Sequence, residues 1–381
     1  MTVSEQEIDP IDFPSYLANQ PLFPKWYQKC RETGDEVAAL GALECFSHIP
    51  TELSSDRLYG AISFPSIRKD PHWKDFPSCF FFLPQIEIIQ SQNKTIRRVR
   101  GNPSILAKTS PLLKSIKLEP DPIHFPSYEA WQTAVEDVLS SIQRQEIQKL
   151  VLARKTSFIR EGDPFAWLSH LLHTSKSSTV FAWQMTPSSL FLGATPENLY
   201  QRKKREIETE SIAGTQKRDS SISMLQKGNK EHREVEYVKL FLEKILSACC
   251  ESFSSEKTSS LIQTSHLQHL RYRLKGKLKP EVLDKELLTL LHPTPAVGGY
   301  PEKSSLERLF SLEPFDRGLY AGAMGWISKE ESSFAVTIRS ALIESTFLHA
   351  YAGVGIVQGS QSHLEWLELE SKIAHWSPSC L

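Results

Sequence analysis

Residues 351–360 read YAGVGIVQGS, with a glycine on each side of Val354 and a third glycine at position 359. Glycine lets the backbone approach a ligand closely, so that bare N–H groups can bind an anion. A dinucleotide-binding loop would also need a tight β-α-β unit with the glycines between strand and helix. The residues after Gly353 read as loop and one helix, and no second strand fits there. The stretch therefore allows an anion site but argues against a dinucleotide-binding fold.

The rest of the chain mixes strand-like and helix-like segments without a regular β-α-β alternation. In residues 149–158, KLVLARKTSF, a period of two is typical of a strand. Apolar residues at helical spacing predict helices at residues 128–145 and 229–248, and a last helix is predicted at 362–376. Further strands are predicted at 38–47, 79–89, 178–185, 189–193, 197–201, 205–211, 264–277, 319–328, 333–344 and 347–357. This pattern predicts a mixed α/β (α+β) protein with many antiparallel strands.

The composition of the 381-residue chain is that of an ordinary globular protein, and its formal net charge is -1. A charge near zero argues against a nucleic-acid partner. The basic run at residues 202–205 is interpreted as a solvated hairpin tip. The six cysteines show neither a zinc pattern nor a disulfide framework. No signal peptide or membrane span is recognised, so a cytoplasmic protein without a membrane partner is expected.

Two predicted helices each carry a pair of acidic residues three positions apart. Glu231 and Glu234 lie in the first helix, and Glu365 and Glu368 in the last, with Lys372 four positions further on. Residues at these spacings share a helix face. One carboxylate from each helix would suffice for Mg²⁺, which keeps several waters. The alternative is that these are surface acids in small salt bridges, and the pattern alone favours that alternative.

Two residues have the chemistry of a general base and a general acid. Lys149 lies in an otherwise apolar strand and is either solvent-facing, which the pattern alone favours, or held in a site with a lowered pKa. Glu197, in GATPEN, is either an acid with a raised pKa or a turn residue that caps a backbone N–H.

Two further residues are candidates for ligand contact. His292 lies in LHPTPAVGGYP, where prolines and glycines form a rigid loop that either holds a ligand or only connects elements. Arg339 is placed by its apolar neighbours in the middle of a strand, where an arginine usually pairs with a carboxylate of the protein or of a ligand.

Eight motifs occur in one order along the chain: LVLAR, FLGATPENL, SIAGT, LHPTPAVGGYP, EPFDRGLYAGAMGW, VTIRSA, YAGVGIV and EWLELESK. Together they resemble the chorismate-utilising enzyme family, which comprises isochorismate, anthranilate, salicylate and aminodeoxychorismate synthases. Each motif alone is weak, but eight in order are specific, and they cover residues 120–376. The N-terminal segments FPKWYQKC, VAALGAL and WKDFPSCFFFLP also resemble isochorismate synthases of the menaquinone type.

The resemblance implies one domain of two facing, mainly antiparallel β-sheets flanked by helices. Residues 1–115 would be an N-terminal part integrated into this domain, and residues 116–381 the chorismate-binding catalytic region. The substrate is a dicarboxylate, so YAGVGIV would bind a carboxylate rather than phosphates. The residues that the resemblance assigns to substrate binding are Gly214, Thr215, Arg339, Gly353, Gly355 and Lys372.

The resemblance also implies a Mg²⁺ ion between the two acidic helices. Glu234 and Glu368 match the residues that bind the metal in the family, and Glu231 and Glu365 would support it through water. On the first helix, KEHREVEYV departs from the family pattern, so a shift of register to Glu236 stays open.

The reaction follows from the residue at the nucleophile position. Family members that add water at C2 of the ring carry a lysine at the position of Lys149, which implies that Lys149 is the base. The resemblance further implies that Glu197 is the acid and that His292 orients the ring. Members that form a covalent adduct carry a lysine where this chain has Ala213. The expected activity is therefore isochorismate synthase, an isomerase.

Two alternatives remain open at this stage. A salicylate synthase would go on to release pyruvate from isochorismate at the same site, and a non-catalytic relative would only bind chorismate. The sequence leaves the pathway open between menaquinone, siderophore and salicylate. A monomer is the default expectation, because no extended apolar stripe is left without an assignment.

Overall fold

The glycine stretch lies in a central strand of a large antiparallel sheet in the computed structural model of the protein. The structure describes residues 3–103, 113–217, 229–263 and 267–376. Strand β21 (Phe347–Ile356) pairs with β9 (Lys149–Glu161), and Gly355 lies opposite Val151. The first six residues of β9 are all buried. Successive side chains of a strand point to opposite faces, so both faces of this part of β9 are covered.

The remaining strands of the described residues pair only in the antiparallel sense. In chain order they are β1 (Val3–Ile8), β2 (Lys25–Lys29), β3 (Glu36–Phe46), β4 (Leu58–Ile62), β5 (Cys79–Gln90), β6 (Thr95–Arg100), β7 (Lys117–Leu118), β8 (Ile123–Phe125), β10 (Thr179–Thr186), β11 (Ser189–Thr195), β12 (Asn198–Lys203), β13 (Glu206–Lys217), β14 (Cys250–Ser255), β15 (Ser260–Gln263), β16 (Leu267–Leu278), β17 (Gly299–Tyr300), β18 (Ala323–Ile327), β19 (Glu331–Val336) and β20 (Ser340–Glu344).

The strand pairings form one continuous order that can be described as two halves. One half runs in the order β9, β21, β20, β11, β10, β2 and β3, and the other in the order β4, β18, β19, β12, β13 and β16. Strand β5 joins the halves because it pairs with both β3 and β4. Trp26 in β2 packs on Tyr59 in β4, with ring centroids 4.7 Å apart. N-terminal strands are thus built into the same layers as C-terminal strands.

Seven α-helices of the described residues flank the sheet. They are α1 (Phe13–Asn19), α2 (Tyr128–Gln143), α3 (Pro164–Thr174), α4 (Asn229–Cys249), α5 (Asp284–Leu291), α6 (Glu302–Leu312) and α7 (Ser362–Ile373). Helix α2 begins after Ser127, whose side chain accepts a hydrogen bond from the Ala130 N–H, a typical N-cap. Its Trp131, Val135 and Val138 are buried. The apolar stripe seen in the sequence is the face that packs on the sheet.

The mixed, largely antiparallel architecture predicted from the sequence is confirmed. One prediction about a strand is wrong in a way that matters for the site. Residues 333–344 do not form one strand, because β19 ends at Val336 and β20 begins at Ser340. Arg339 lies in the link with a φ of 54° and is therefore not in mid-strand as predicted. The predicted strand at 319–328 also begins only at Ala323.

The basic run at residues 202–205 is only partly solvated. Lys203 is 80% exposed, and Lys204 forms the turn with a φ of 53°. Arg202, in contrast, is buried and pairs with Asp284 at 2.7 Å. The interpretation as a solvated tip is therefore wrong for Arg202, which joins β12 to α5.

Two other sequence features can be compared with the structure. Within the described ranges, every helix is too short or too polar to traverse a bilayer. The described cysteines carry free thiols, namely Cys30, Cys45, Cys79, Cys249 and Cys250. Cys380 lies outside the described residues.

Candidate active site

Predicted site residues from distant parts of the chain meet at one cavity, called here the central cavity. Its volume is ≈ 70 Å³. The predicted residues that line it are Lys149, Glu197, Glu234, Arg339, Gly353, Gly355 and Lys372. A larger cavity of ≈ 640 Å³ around Arg57 and Trp326 contains none of them. The predicted site residues therefore lie together at the smaller of the two cavities.

Lys149 is buried at the start of β9, with an exposed fraction of 1%. The interpretation as a solvent-facing lysine is therefore wrong. Burial lowers the pKa of Lys149, because the charged ammonium loses its water, and the carboxylates of Glu234 and Glu197 raise it in part. A lysine in this position is closer to its neutral, basic form than a lysine in water.

Glu197 follows β11 and is 3% exposed. Burial and, to a smaller extent, the charge of Glu210 raise the pKa of its carboxyl to about 8, although Lys149 and Arg31 lower it in part. In the part of the chain that the structure describes, no backbone N–H donates to this carboxyl, so the alternative of a turn-capping glutamate finds no support. Glu197 is therefore largely protonated at neutral pH and can donate a proton.

Glu234 reaches the central cavity from helix α4. A Cβ added at Gly355 would lie 3.2 Å from Glu234 Oε2 and 3.0 Å from Lys149 Cε. The glycine thus leaves the room in which the carboxylate and the lysine approach the strand. Glu236 is instead paired with Lys239 at 3.8 Å, and its side chain is 46% exposed. The geometry favours Glu234 over Glu236 as the residue that faces the site.

Helix α7 brings a carboxylate and an ammonium to the same wall. Lys372 Nζ donates to the Gly353 carbonyl at 2.8 Å and lies 2.7 Å from Glu368 Oε1. Glu365, one turn earlier, is 1% exposed. The predicted common face of this helix is the face that packs against β21, so the acidic pair is not a solvated surface pair.

Arg339 lines the central cavity from the link between β19 and β20. Its φ of 54° is uncommon for a residue with a side chain and marks a locally constrained backbone. Burial lowers the pKa of Arg339 to about 10, and Glu368 and Tyr320 raise it in part, so the guanidinium stays charged. No side chain or carbonyl of the described residues accepts a hydrogen bond from it. A cation held in this way is suited to an anionic ligand.

Several residues of the site carried no signal that sequence reasoning used. Tyr320 stacks on Tyr351 with ring centroids 5.3 Å apart. A Cβ added at Gly353 would lie 2.7 Å from the Tyr320 hydroxyl. His269 and Val297 also line the cavity. Tyr320 and Val297 belong to motifs quoted above, but nothing in their spacing pointed to a role.

A buried ion pair behind the cavity was also missed. Arg317 Nε donates to Glu313 Oε2 at 2.8 Å, and the other guanidinium nitrogens donate to the carbonyls of Val297 and Val151 at 2.7 Å each. Glu313 in turn accepts from the Ala153 N–H at 2.7 Å. The pair fastens the loop after His292 to β9, so it positions the cavity wall without lining it.

Some predicted residues are not brought to the wall or cannot be placed. His292 is buried beside Phe64, with ring centroids 6.4 Å apart, and is not among the lining residues. Burial lowers its pKa to about 4, so the ring is neutral. Gly214 and Thr215 lie in β13, and Glu231 in α4, but the side chains at these positions lie outside the described residues. Their roles stay predictions.

The residues that could hold a metal are carboxylates from two helices. Glu234 and Glu368 both raise the pKa of Lys149, which places their charges near the same ammonium. Carboxylate oxygens are the donors that Mg²⁺ prefers, and two of them leave room for waters and a ligand oxygen. The donor set thus fits Mg²⁺ and would not suit a soft metal.

A family model described as chorismate binding enzyme matches residues 39–377. The chain belongs to the chorismate binding enzyme family.

Similar proteins of this family are isochorismate synthases. The chain is 33% identical over 357 residues to a chloroplastic isochorismate synthase of Catharanthus roseus, covering 84% of this chain and 61% of the plant protein. It is 30% identical to the isochorismate synthase MenF of Haemophilus influenzae, covering 97% of this chain and 89% of that protein. The structure of the menaquinone-specific isochorismate synthase MenF of Escherichia coli superimposes with a TM-score of 0.85 at 26% identity, covering 98% and 93% of the two chains. The chain thus spans less than two thirds of the plant relative.

Proposed function

We propose that the protein catalyses the reversible, Mg²⁺-dependent conversion of chorismate to isochorismate. The observation that carries the proposal is the pair of buried groups at the central cavity. A lysine whose pKa is lowered and a glutamate whose pKa is raised to about 8 face one space. Such shifts favour the neutral form of the base and the protonated form of the acid at the same pH.

The two carboxylates of chorismate match the charges around the cavity. Arg339 would bind the enolpyruvyl carboxylate beside Gly353 and Gly355, where the absence of side chains lets the ligand approach the backbone. Lys372 holds the Gly353 carbonyl and adds positive charge. A bidentate arginine contact would also fix the orientation of the ring.

In the proposed reaction Lys149 removes a proton from a water molecule as the water oxygen bonds to C2 of the ring. The double bonds shift, the bond between C4 and its hydroxyl breaks, and Glu197 protonates the leaving oxygen, so that water departs. One hydroxyl enters and one leaves, which makes the reaction close to thermoneutral and reversible. Each proton transfer contributes a factor of roughly 10² to 10⁴ to the rate.

Glu234 and Glu368 would hold one Mg²⁺ ion, with Glu231 and Glu365 supporting it through water. When bound, the metal would fix the ring carboxylate and withdraw electron density from the ring. Lys372 would partly balance the charge of Glu368, with which it is already paired. His292 stays a candidate for orienting the ring through the loop that follows it.

The direct test is to incubate the purified protein with chorismate and Mg²⁺ and to separate the products by chromatography. We expect isochorismate, and we expect none after chelation of the metal. Salicylate together with pyruvate would instead assign a salicylate synthase. Binding of chorismate without any turnover would favour a non-catalytic relative. Similarity to a menaquinone-specific enzyme leads us to expect a product that enters menaquinone synthesis.

A further inference from the structure

Two histidines and a glutamate form a cluster at some distance from the central cavity. His72 Nδ1 lies 2.6 Å from Glu344 Oε2, and His349 Nε2 lies 3.7 Å from the same oxygen. One donor atom from each of the three residues lies within 4.8 Å of the others. His349 is four residues before Gly353 on β21, which is about 13 Å along a strand. The cluster is therefore separate from the proposed catalytic site.

The strand register explains why these side chains share one face. Leu342 pairs with His349, and Glu344 pairs with Phe347, so Glu344 and His349 are diagonal neighbours across β20 and β21. Ser157 in β9 lies directly opposite His349. His72 comes from a short 3-10 helix, Pro71–Trp73, that packs over this face and is capped by Asp70.

The ring of His349 is oriented as a metal-binding imidazole would be. It is 4% exposed, and its Nδ1 lies 2.8 Å from Ser157 Oγ. Its Nε2 is buried and has no hydrogen-bond partner among the described residues. When Nδ1 carries the proton and donates it to Ser157, Nε2 presents its lone pair towards Glu344. In this tautomer, a cation between the lone pair and the carboxylate would satisfy both groups.

The local charges are compatible with a bound cation. Glu344 and Asp70 carry negative charge, and Lys155 Nζ, 3.9 Å from Asp70, offsets one of them. When both histidine rings are neutral, which is the form that binds metals, these groups leave one negative charge without compensation.

We propose that His72, Glu344 and His349 bind a Zn²⁺ ion, with water as a fourth ligand, and that this ion ties the segment around Trp73 to the sheet. Zinc prefers tetrahedral sites with imidazole and carboxylate ligands at about 2.0–2.2 Å, so its ligand atoms lie about 3.4 Å apart. The distance from His349 to Glu344 is already close to this value. The distance from His72 Nδ1 to Glu344 Oε2, 2.6 Å, is shorter than this value. Rotation of the His72 side chain, which is 35% exposed, would lengthen it.

The ion would stabilise packing that extends towards the central cavity. Trp73 packs against Tyr351 in a tilted arrangement with centroids 5.7 Å apart, and Tyr351 stacks on Tyr320, which lines the cavity. Trp73 Nε1 also donates to the Asp316 carbonyl at 3.1 Å. The expected role is structural, because the metal would hold the Trp73 segment in place without touching the substrate.

The test is a Zn²⁺ titration of the 381-residue chain against a chromophoric chelator, in excess Mg²⁺ so that the carboxylates of the central cavity are occupied. We expect one tightly bound Zn²⁺ per chain. His72→Ala and Glu344→Gln should weaken binding by about 100-fold or more, and Ser157→Ala, which removes only the partner that orients His349, by about tenfold. His173→Ala, at an exposed histidine of α3, is the matched control and should bind as the wild type does.

A second readout is the melting temperature with and without Zn²⁺. Zn²⁺ should raise the melting temperature of the wild type and of His173→Ala, but not that of His72→Ala. Because His72 is half-exposed, its replacement by alanine should leave the fold intact. Absence of stoichiometric Zn²⁺ binding to the wild type would overturn the proposal. Equal affinity in the wild type, His72→Ala and Glu344→Gln would overturn it as well.

Discussion

Lys149 and Glu197 face the same buried cavity, and the pKa of each is shifted towards that of the other. Burial lowers the pKa of the lysine and raises that of the glutamate to about 8. Each charge also acts on its neighbour, because Glu197 raises the pKa of Lys149 and Lys149 lowers that of Glu197. The proposed base and acid are thus an electrostatically coupled pair, and both roles can be tested by substitution.

Lys149→Met should abolish most of the conversion of chorismate while leaving chorismate binding measurable. The side chain keeps its length and apolar stem but can no longer take a proton, so kcat should fall by about 10² to 10⁴. Product formation followed by chromatography gives kcat, and calorimetry gives binding.

The matched control for this substitution is Lys25→Met. Lys25 is also a buried strand lysine, and burial lowers its pKa to about 8, but it donates to the Leu17 carbonyl away from the cavity. Its kcat should stay near that of the wild type. A similar loss of kcat in both variants would mean that any buried lysine is needed for folding, and that Lys149 has no special role.

Glu197→Gln should lower kcat by a similar factor and remove a pH dependence. The carboxyl must be protonated to act, so wild-type activity should decline as the pH rises through about 8. The folded pKa lies above the ordinary value, so the stability contributed by the protonated carboxyl is full below about pH 4.5 and is lost as the pH rises through about 8. The melting temperature of Glu197→Gln should therefore exceed that of the wild type more at pH 9 than at pH 6. Identical pH profiles of stability would contradict the raised pKa.

Glu234→Gln should raise the Mg²⁺ concentration required for half-maximal activity, or abolish activity. Glu236→Gln, two residues along the same helix, should not, because its carboxylate pairs with Lys239. An activity titration with Mg²⁺ distinguishes the two variants. A large effect of Glu236→Gln together with a small effect of Glu234→Gln would shift the register of the metal site.

Arg317→Met should destabilise the protein without removing a group that touches the cavity. It leaves Glu313 buried without its cation and two carbonyls without their donor, which costs about 3–5 kcal/mol in the free energy of unfolding. Arg308→Met is the control, since Arg308 forms a half-exposed pair with Asp137 that contributes about 1 kcal/mol or less. Urea unfolding measures both. Equal losses would show that the buried pair is no more important than a surface pair.

The sequence predicted much of the fold because its periodic segments are long. Patterns that extend over several turns or pleats are found in the strand at Lys149 and in the helices Tyr128–Gln143 and Asn229–Cys249. Helices α1, α3, α5 and α6, of 7 to 11 residues, were missed because a short segment offers too few repeats to distinguish a helix from a loop. The break at Arg339 was missed because its neighbours are apolar on both sides, and only tertiary packing forces the positive φ.

The site residues that lie in recognisable motifs could be predicted from the sequence. Whether a given residue is buried could not. Pattern alone favoured a solvent-facing Lys149, because lysine is seldom buried. The resemblance corrected that preference, and the structure gives the physical reason, which is a cavity wall built from strands far apart in sequence. The Glu313–Arg317 pair and the cluster around His349 depend on contacts between distant segments, which no local pattern records.

Lys149 is proposed to direct a water molecule to C2 of chorismate, and a reaction in labelled water tests this role. The reaction is run with Mg²⁺ in H₂¹⁸O, stopped early, and the product is analysed by mass spectrometry and NMR. We expect isochorismate with one ¹⁸O, located in the hydroxyl at C2, and no such product from Lys149→Met. Isochorismate that carries unlabelled oxygen at C2 would mean that the hydroxyl moves within the substrate, and it would contradict a water-activating role for Lys149.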